Sequence, residues 1–327
     1  MAAGRSRIRI AQGEIVLAIA VLLFLVFAVT LKGFVAPDNL LALIQNVSIL
    51  GILGLGMAVA IIGRGIDLTI VTTMTMSAAW VLKLADHGVA PLAAAAIGLL
   101  FCVTVGLVTG VLVAYVEVPA IFATLALSSV VYGLARLTMV GEDLIYLPPS
   151  AQWTRGFGAG QWLGVPSSVI VFLAFAGVGL VFLQFTKSGR FLRAIGDNPL
   201  KARIAGIPVR PMTVLQYVLS SLAGYLAGVV MATLIGSINT RQVNSTMVYD
   251  VILVVVLGGI GLSGGRGGVR NVLVGTLLIG ILLNGMTIIN VPYELQNLIK
   301  GTILLIAIIV DSLINPRDEQ TSQQGDI

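Results

Sequence analysis

The chain has 327 residues, of which 57% are hydrophobic and 10% charged, with a mean hydropathy of +1.04 and a net charge of +5. A water-soluble domain carries roughly 25% charged residues to wet its surface, so a soluble globular fold is excluded and lipid is the expected surroundings. One histidine, His87, and one cysteine, Cys102, leave too little to cluster into a metal or acid–base centre and exclude an internal disulfide.

A helix crossing the ~30 Å hydrocarbon core needs about 20 apolar residues, and stretches of that size recur. Ten spans are predicted, near residues 15–31, 40–63, 68–84, 91–116, 119–139, 165–185, 213–236, 247–264, 269–290 and 295–314. The fold class is therefore an all-α polytopic membrane bundle. Long continuous runs in place of short alternating segments exclude a β-barrel. Residues 1–314 form one membrane domain, and the polar segment 315–327 is expected to be a cytoplasmic tail.

Arg5, Arg7 and Arg9 precede the first apolar run much as the charged region of a signal peptide does. That run, Ile15 to Leu31, is longer than the usual signal core and nine spans follow it, so it reads as a retained helix. After the second span comes Gly65-Ile-Asp-Leu-Thr69. Asp67 has two readings here: an intramembrane carboxylate with a function, or a residue that caps the next helix and is favoured by its dipole. The threonines that follow, Thr69, Thr72, Thr73 and Thr75, either line a polar path or bond back to helix carbonyls. His87 sits beside Asp86 and Gly88 in a short loop and reads as solvated, and Cys102 as a small packing residue.

The long loop from Val140 to Pro166 carries Trp153 and Trp162, residues that favour a membrane interface. The next loop, about residues 186–211, holds Lys187, Arg190, Arg193, Lys201, Arg203 and Arg210. It reads as a turn and a short helix, with Asp197 or Asn198 as cap, Pro199 at the first position and Gly206 at the end. Such a helix either docks into a partner protein or touches anionic headgroups. Gly106-x-x-x-Gly110, Gly224-x-x-x-Gly228 and Gly261-x-x-x-Gly265 permit close helix approach. The run from Gly258 to Gly268 is dense enough in glycine to read as a broken helix end or a mobile turn.

Lys and Arg accumulate in cytoplasmic loops. With ten spans and both termini inside, most of the 19 basic residues fall on the cytoplasmic side. The positive charge thus reads as topology, with no nucleic-acid partner implied. The spacing G-x-x-x-x-G-K-[ST] is absent, so this chain does not hydrolyse ATP by a P-loop mechanism.

The 186–211 loop resembles the conserved cytoplasmic loop of the ribose/xylose/arabinose-type permeases of ATP-binding-cassette (ABC) importers. Their pattern, roughly Thr-x-x-Gly-Arg-x-x-x-Ala-x-Gly-x-Asn-x-x-x-Ala-Arg-x-x-Gly-Ile, is met by Thr186, Gly189, Arg190, Ala194, Gly196, Asn198, Ala202, Arg203, Gly206 and Ile207. Gly65-Ile-Asp-Leu-Thr69, Val118-Pro-Ala-Ile-Phe-Ala-Thr-Leu125 and Leu257-Gly-Gly-Ile-Gly-Leu-Ser-Gly-Gly-Arg-Gly267, followed by Asn284-Gly285 and Asp311, are similar to the same family. Departures occur at Thr69-Ile70-Val71, at Val248, where a glutamate is usual, and at Asn271, where a glycine is common.

The resemblance implies a non-catalytic, cofactor-free permease that moves a monosaccharide or related small polyol inward across a bacterial inner membrane by alternating access. It implies three partners: a cytoplasmic ATP-binding subunit docked on the 186–211 loop, a periplasmic or extracellular sugar-binding protein, and a second permease, either another copy or a sister chain, with the path at the interface. A bulky residue at Gly196 or a reversed charge at Arg203 is then expected to uncouple ATP hydrolysis from uptake while the chain still folds. Polar candidates for the path are Asn46, Asp67, Thr124, Ser128, Gln216, Ser220, Asn284 and Asn290; in the plainer reading the same side chains hydrogen-bond helix to helix. The alternative function is an ion-coupled secondary transporter, which usually needs ionisable groups in mid-membrane. Here Arg136 and Asp250 both sit near span boundaries.

Overall fold

The computed structural model describes residues 12–314. Arg5, Arg7, Arg9, Arg317 and the predicted 315–327 tail lie outside the described residues. In chain order come α1 (Gln12–Thr30), α2 (Pro37–Ile62), α3 (Ile70–Asp86), α4 (Pro91–Ala114) and α5 (Ala120–Thr138). Then follow β1 (Leu144–Tyr146), a 3-10 helix (Pro149–Phe157), β2 (Gln161–Trp162), β3 (Val165–Pro166) and α6 (Ser167–Phe185). Next are α7 (Lys187–Asp197), α8 (Pro199–Ile204), α9 (Val209–Ile235), β4 (Ser237–Asn239) and a second 3-10 turn (Thr240–Asn244). The last three helices are α10 (Met247–Leu257), α11 (Val269–Ile288) and α12 (Tyr293–Ile314).

Proline sets several of the starts. Pro37 and Pro91 open α2 and α4 at positions where a missing N–H costs nothing, and Pro119 and Pro166 stand just before α5 and α6. Eight of the helices are long and apolar enough to cross a membrane by length and composition: α1, α2, α4, α5, α6, α9, α11 and α12.

The other two predicted spans are shorter helices. The one expected at 68–84 is α3, with 17 residues. The one expected at 247–264 is corrected: α10 has 11 residues and stops at Leu257. Beyond it Gly259, Gly264, Gly265 and Gly267 all take positive φ, which an α-helix does not admit. The broken-helix-end reading of this run therefore describes it better than the span count did. Asn271, where a glycine is common, donates its side-chain amide to the Gly258 carbonyl at 2.7 Å and so satisfies the end of α10.

The centre of the bundle is α2, buried on every side from Val47 to Gly63, as expected of a helix that is apolar all round. Against it pack α9, α10, α11, α6 and α3. Two of the three glycine pairs make close helix contacts. An ideal Cβ on Gly106 or Gly110 would lie 2.7 or 2.6 Å from the Cα of Val218 or Val214 on α9. Gly224 and Gly228 in the same way seat α9 on the Ile70 and Met74 carbonyls of α3. The third pair, Gly261 and Gly265, lies in the non-helical segment after α10, so the helix-packing reading does not apply there.

The helices α2–α5 and α9–α12 repeat one plan. Each set has a long, a short and two long members. The short helices α3 and α10 pack on the opposite set's first helix, α9 and α2, and on their own set's last two members. The sets run in opposite senses, since α2 ends where α9 begins: Gly63 is against Gln216 and Gly56 against Ala223.

The two ends of the bundle differ. At one, called here the basic end, the C-terminus of α2, α7, α8, the start of α9 and the 258–268 segment meet. At the other, β1 pairs antiparallel with β4 (Ile145 opposite Ile238) and β2 with β3. Trp153 and Trp162 are exposed in this region, as suits interfacial residues.

Candidate functional site

At the basic end, α7 is an amphipathic helix. Gly189, Leu192, Ile195 and Gly196 are buried against the bundle, and Lys187, Arg190 and Asp197 face out. Thr186 caps it: its Oγ1 accepts from the Gly189 N–H at 3.0 Å and donates to the Phe182 carbonyl at 2.6 Å. A second cap follows at once. Asn198 accepts from the Lys201 N–H at 2.9 Å, Pro199 opens α8, and Gly206 closes it at φ +78°. Asn198 thus takes the capping role left open between it and Asp197. Thr186→Ala is expected to cost about 1 kcal/mol, read as a lower thermal midpoint of the purified protein; an unchanged midpoint would contradict the cap.

The residues predicted for docking divide into two groups. Arg190, Arg203 and Gly206 are exposed, together with Leu200, Lys201 and Ile204, and form a mixed basic and apolar surface. Beside it lies a cleft of about 240 Å³ lined by Arg203, Ile207, Pro208, Val209, Arg210 and Pro211. Gly189, Gly196 and Ala202 are buried, and Ala194 and Asn198 are half-buried; they hold the surface up from beneath. The expectation that a bulky residue at Gly196 leaves the fold intact is corrected. An ideal Cβ there would lie 1.9 Å from the Ile62 carbonyl oxygen and 2.3 Å from the Gly265 nitrogen. Arg210 is anchored by Glu117 at 2.8 Å and lies over the Tyr115 ring.

Inside the bundle, Asp67, Gln216 and Ser220 come together. Asp67 is fully buried, and its Oδ1 accepts from the Thr69 N–H at 2.9 Å and from the Thr69 hydroxyl. That is a side-chain turn that fixes the backbone leading into α3, whose N-cap position is Thr69 itself, with the carboxylate close to the positive end of the helix. Ser220 on α9 faces the same carboxylate, and Gln216 and Tyr217 close against Gly63 and Gly65. Thr72 does not bond back along its own helix; its hydroxyl meets that of Ser128 on α5 at 2.5 Å. Thr124, one turn earlier on α5, bonds back to the Ala120 carbonyl at 2.8 Å.

The remaining path candidates lie elsewhere. Asn284 exchanges amide hydrogen bonds with Asn39 at 2.9 and 3.0 Å, which ties α11 to α2. Asn46 is exposed on α2, and Asn290 is exposed in the turn after α11 at φ +50°. The eight candidates do not line one continuous surface.

The opposite end is laced by exposed charges. Lys83 pairs with Glu142 at 2.7 Å, and Asp143 takes Arg136 at 2.9 Å and Arg241 at 2.6 Å. Arg136 also reaches the Glu142 carbonyl and the Thr240 hydroxyl. The Lys83 hydrogen bond and charge hold the Glu142 carboxyl below its usual range. Single exposed pairs contribute little; jointly these set the α5 end, the 141–146 stretch and β4 in register.

Compared with known proteins, residues 39–308 match the family model described as the permease component of the branched-chain amino acid transport system. The chain belongs to this permease family. It is 32% identical over 302 residues to the ribose import permease protein of Escherichia coli strain K12, covering 90% of this chain and 92% of the relative. It is 33% identical over 292 residues to the ribose import permease protein of Bacillus subtilis strain 168, 89% of each. With the L-arabinose ABC transporter permease protein of Azospirillum brasilense the identity is 32% over 295 residues, 88% of this chain and 84% of that one. No solved structure matches the permease.

One polar contact of the permease escaped the sequence reading. Asp250 is placed there near a span boundary, and Lys300, within the 295–314 span, is given no role. The structure pairs them, Lys300 Nζ to Asp250 Oδ1 at 2.9 Å, with both residues buried between α10 and α12. A lone acidic residue in the 247–264 span and a lone basic one in the 295–314 span were the available signal, but nothing local matches one to the other.

Proposed function

We propose that this chain is the membrane subunit of an ABC importer that carries a monosaccharide or related small polyol inward by alternating access. The observation that carries the proposal is similarity along nearly the whole chain to permeases named for ribose and L-arabinose import. In this reading the permease crosses a bacterial inner membrane ten times, α3 included and one crossing made by α10 together with the glycine-rich 258–268 segment, with both termini and the basic end on the cytoplasmic side.

The ATP-binding subunit docks on the exposed surface of α7 and α8, where Arg190 and Arg203 supply charge and Leu200 and Ile204 apolar area. The buried Gly189, Gly196 and Ala202 let α7 and α8 sit close on the bundle, so a push on the surface reaches the α2 C-terminus and the 258–268 segment directly. The soluble sugar-binding protein meets the opposite, charge-laced end. A second permease copy completes the path. ATP hydrolysis belongs to the partner, because this chain has no P-loop. The hydroxyl, amide and carboxyl groups of Asp67, Gln216, Ser220, Thr124 and Ser128 border the helices that would move.

The test is a mild-detergent pull-down of the tagged permease from its native membrane, scored for co-purifying ATPase. A P-loop ATPase should co-purify, and Arg203→Glu, an exposed position, should cut its retention at least tenfold while the permease still inserts. Absence of any ATPase, with uptake abolished by collapsing the ion gradient, would put the ion-coupled transporter in its place.

A further inference from the structure

Of the five ion pairs described above, four have members exposed by 23–71%. The fifth is different: the side chains of Lys300 and Asp250 are only 6% and 12% exposed. Lys300 also donates to Thr246 Oγ1 at 3.0 Å, and the Thr246 hydroxyl donates to Asn297 Oδ1 at 3.0 Å. Two residues beside α10's start are thereby held to two residues one turn apart on α12.

These helices are attached to the bundle very differently. α10 is enclosed: Val251, Leu253, Val254 and Val255 are fully buried among α2 and α11. α12 is the least embedded of the long apolar helices, with 6% of its apolar stretch buried, and α10 is its principal neighbour. Its second polar attachment lies near the basic end, where Asp311 accepts from the Leu262 N–H at 3.3 Å. α12 is held at one end through a glycine-rich segment and at the other through the Asp250–Lys300–Thr246 cluster, which Tyr293 and Asn297 join, with Ile303 and Leu304 packed on the core between them, and it can swing about the first end when the second lets go. The equivalent outer helix of the other repeat, α5, is joined to α3 by the neutral Thr72–Ser128 contact.

We infer that Asp250 and Lys300 are positioning residues of the transport cycle, forming a latch that holds α12 on α10 in one state and parts in another. A buried ion pair suits that task better than an apolar contact. Closed, its desolvation cost roughly offsets its attraction, so it specifies geometry more than it adds strength. An apolar contact between membrane helices specifies little, since lipid tails are as apolar as the side chains it joins. The inference rests on the proposed coupling to an ATPase, and the test separates the two.

The experiment uses the co-purified complex with Thr246→Cys and Asn297→Cys in a Cys102→Ala background, so that two thiols replace side chains already in contact. Disulfide yield is compared between nucleotide-free complex and complex trapped with Mg-ATP and orthovanadate. At least a fivefold difference between the two states is expected, and equal yields would overturn the latch. As a second variant, Asp250→Leu with Lys300→Met replaces the pair by apolar groups that keep the closed contact. The complex should assemble normally but hydrolyse ATP at least fivefold more slowly; wild-type turnover in an intact complex would also overturn it. No ATPase in the wild-type preparation defeats the parent proposal, whereas ATPase with state-independent crosslinking defeats only the latch.

Discussion

Gly196→Val is expected to unseat the basic end of the permease and abolish retention of the proposed ATP-binding partner. The Cβ that valine brings would meet the Ile62 carbonyl oxygen at 1.9 Å and the Gly265 nitrogen at 2.3 Å. Both are backbone atoms, joined to each other by the Gly265 N–H to Ile62 carbonyl hydrogen bond of 2.9 Å. Overpacking costs about 1–3 kcal/mol where side chains can repack, and no rotamer change relieves a clash with main chain. Separating the strands of backbone would also forfeit that hydrogen bond, about 1 kcal/mol net and more if either group stays buried and unpaired. A loss of several kcal/mol follows, read as a thermal midpoint lowered by many degrees in detergent and as a fraction of aggregated protein. Gly206→Ala is the control: its position is exposed with open space around it, and only its φ of +78° resists a side chain, at about 1–2 kcal/mol. Equal midpoints for wild type and Gly196→Val would sink the assignment of this glycine to internal packing.

That contact shows where sequence reading stopped. The caps of α7 and α8 were legible because capping is local: Asn198, Pro199 and Gly206 stand at the positions a short helix demands, and the structure uses them so. Gly196 belongs to the same motif, but its reason for being glycine is supplied by Ile62 and Gly265, residues distant along the chain. Resemblance marked it as important and assigned it to the docking surface; only the fold separates a surface residue from one beneath it. Hydrophobicity located all ten helical stretches, yet it carried the 247–264 stretch past Leu257, since glycines count as apolar while their positive φ ends the helix. The polar shortlist suffered most. Asn284 and Ser128 were chosen for their chemistry, and their partners Asn39 and Thr72 account for each of them. Asp250 and Lys300 were passed over, because neither acquires meaning until α10 and α12 are side by side.

Asp67 offers the second large effect, and two substitutions divide its two readings. Asp67→Ala removes the acceptor of the Thr69 N–H and hydroxyl in a site with no exposure to solvent. Each buried donor left unsatisfied costs about 1–3 kcal/mol, so the start of α3 should be destabilised by several kcal/mol, seen as a lower thermal midpoint and weak insertion. Asp67→Asn keeps an oxygen at the accepting position and removes the capacity for charge. If Asp67 acts by fixing the turn into α3, the asparagine variant folds within about 1 kcal/mol of wild type, because its oxygen still makes the net contribution of a hydrogen bond. Its ATP-driven uptake should then stay within twofold of wild type. Uptake lost in a well-folded Asp67→Asn permease would mean that the carboxyl itself takes part in transport, since geometry and packing are retained and only ionisation has gone. The expected result is the first. Asp67 accepts from the residue two positions on, at the positive end of α3, which is what a helix start buried in a bundle needs. A group serving the substrate would have to reach it past Ser220, Gln216 and Tyr217, all of them buried.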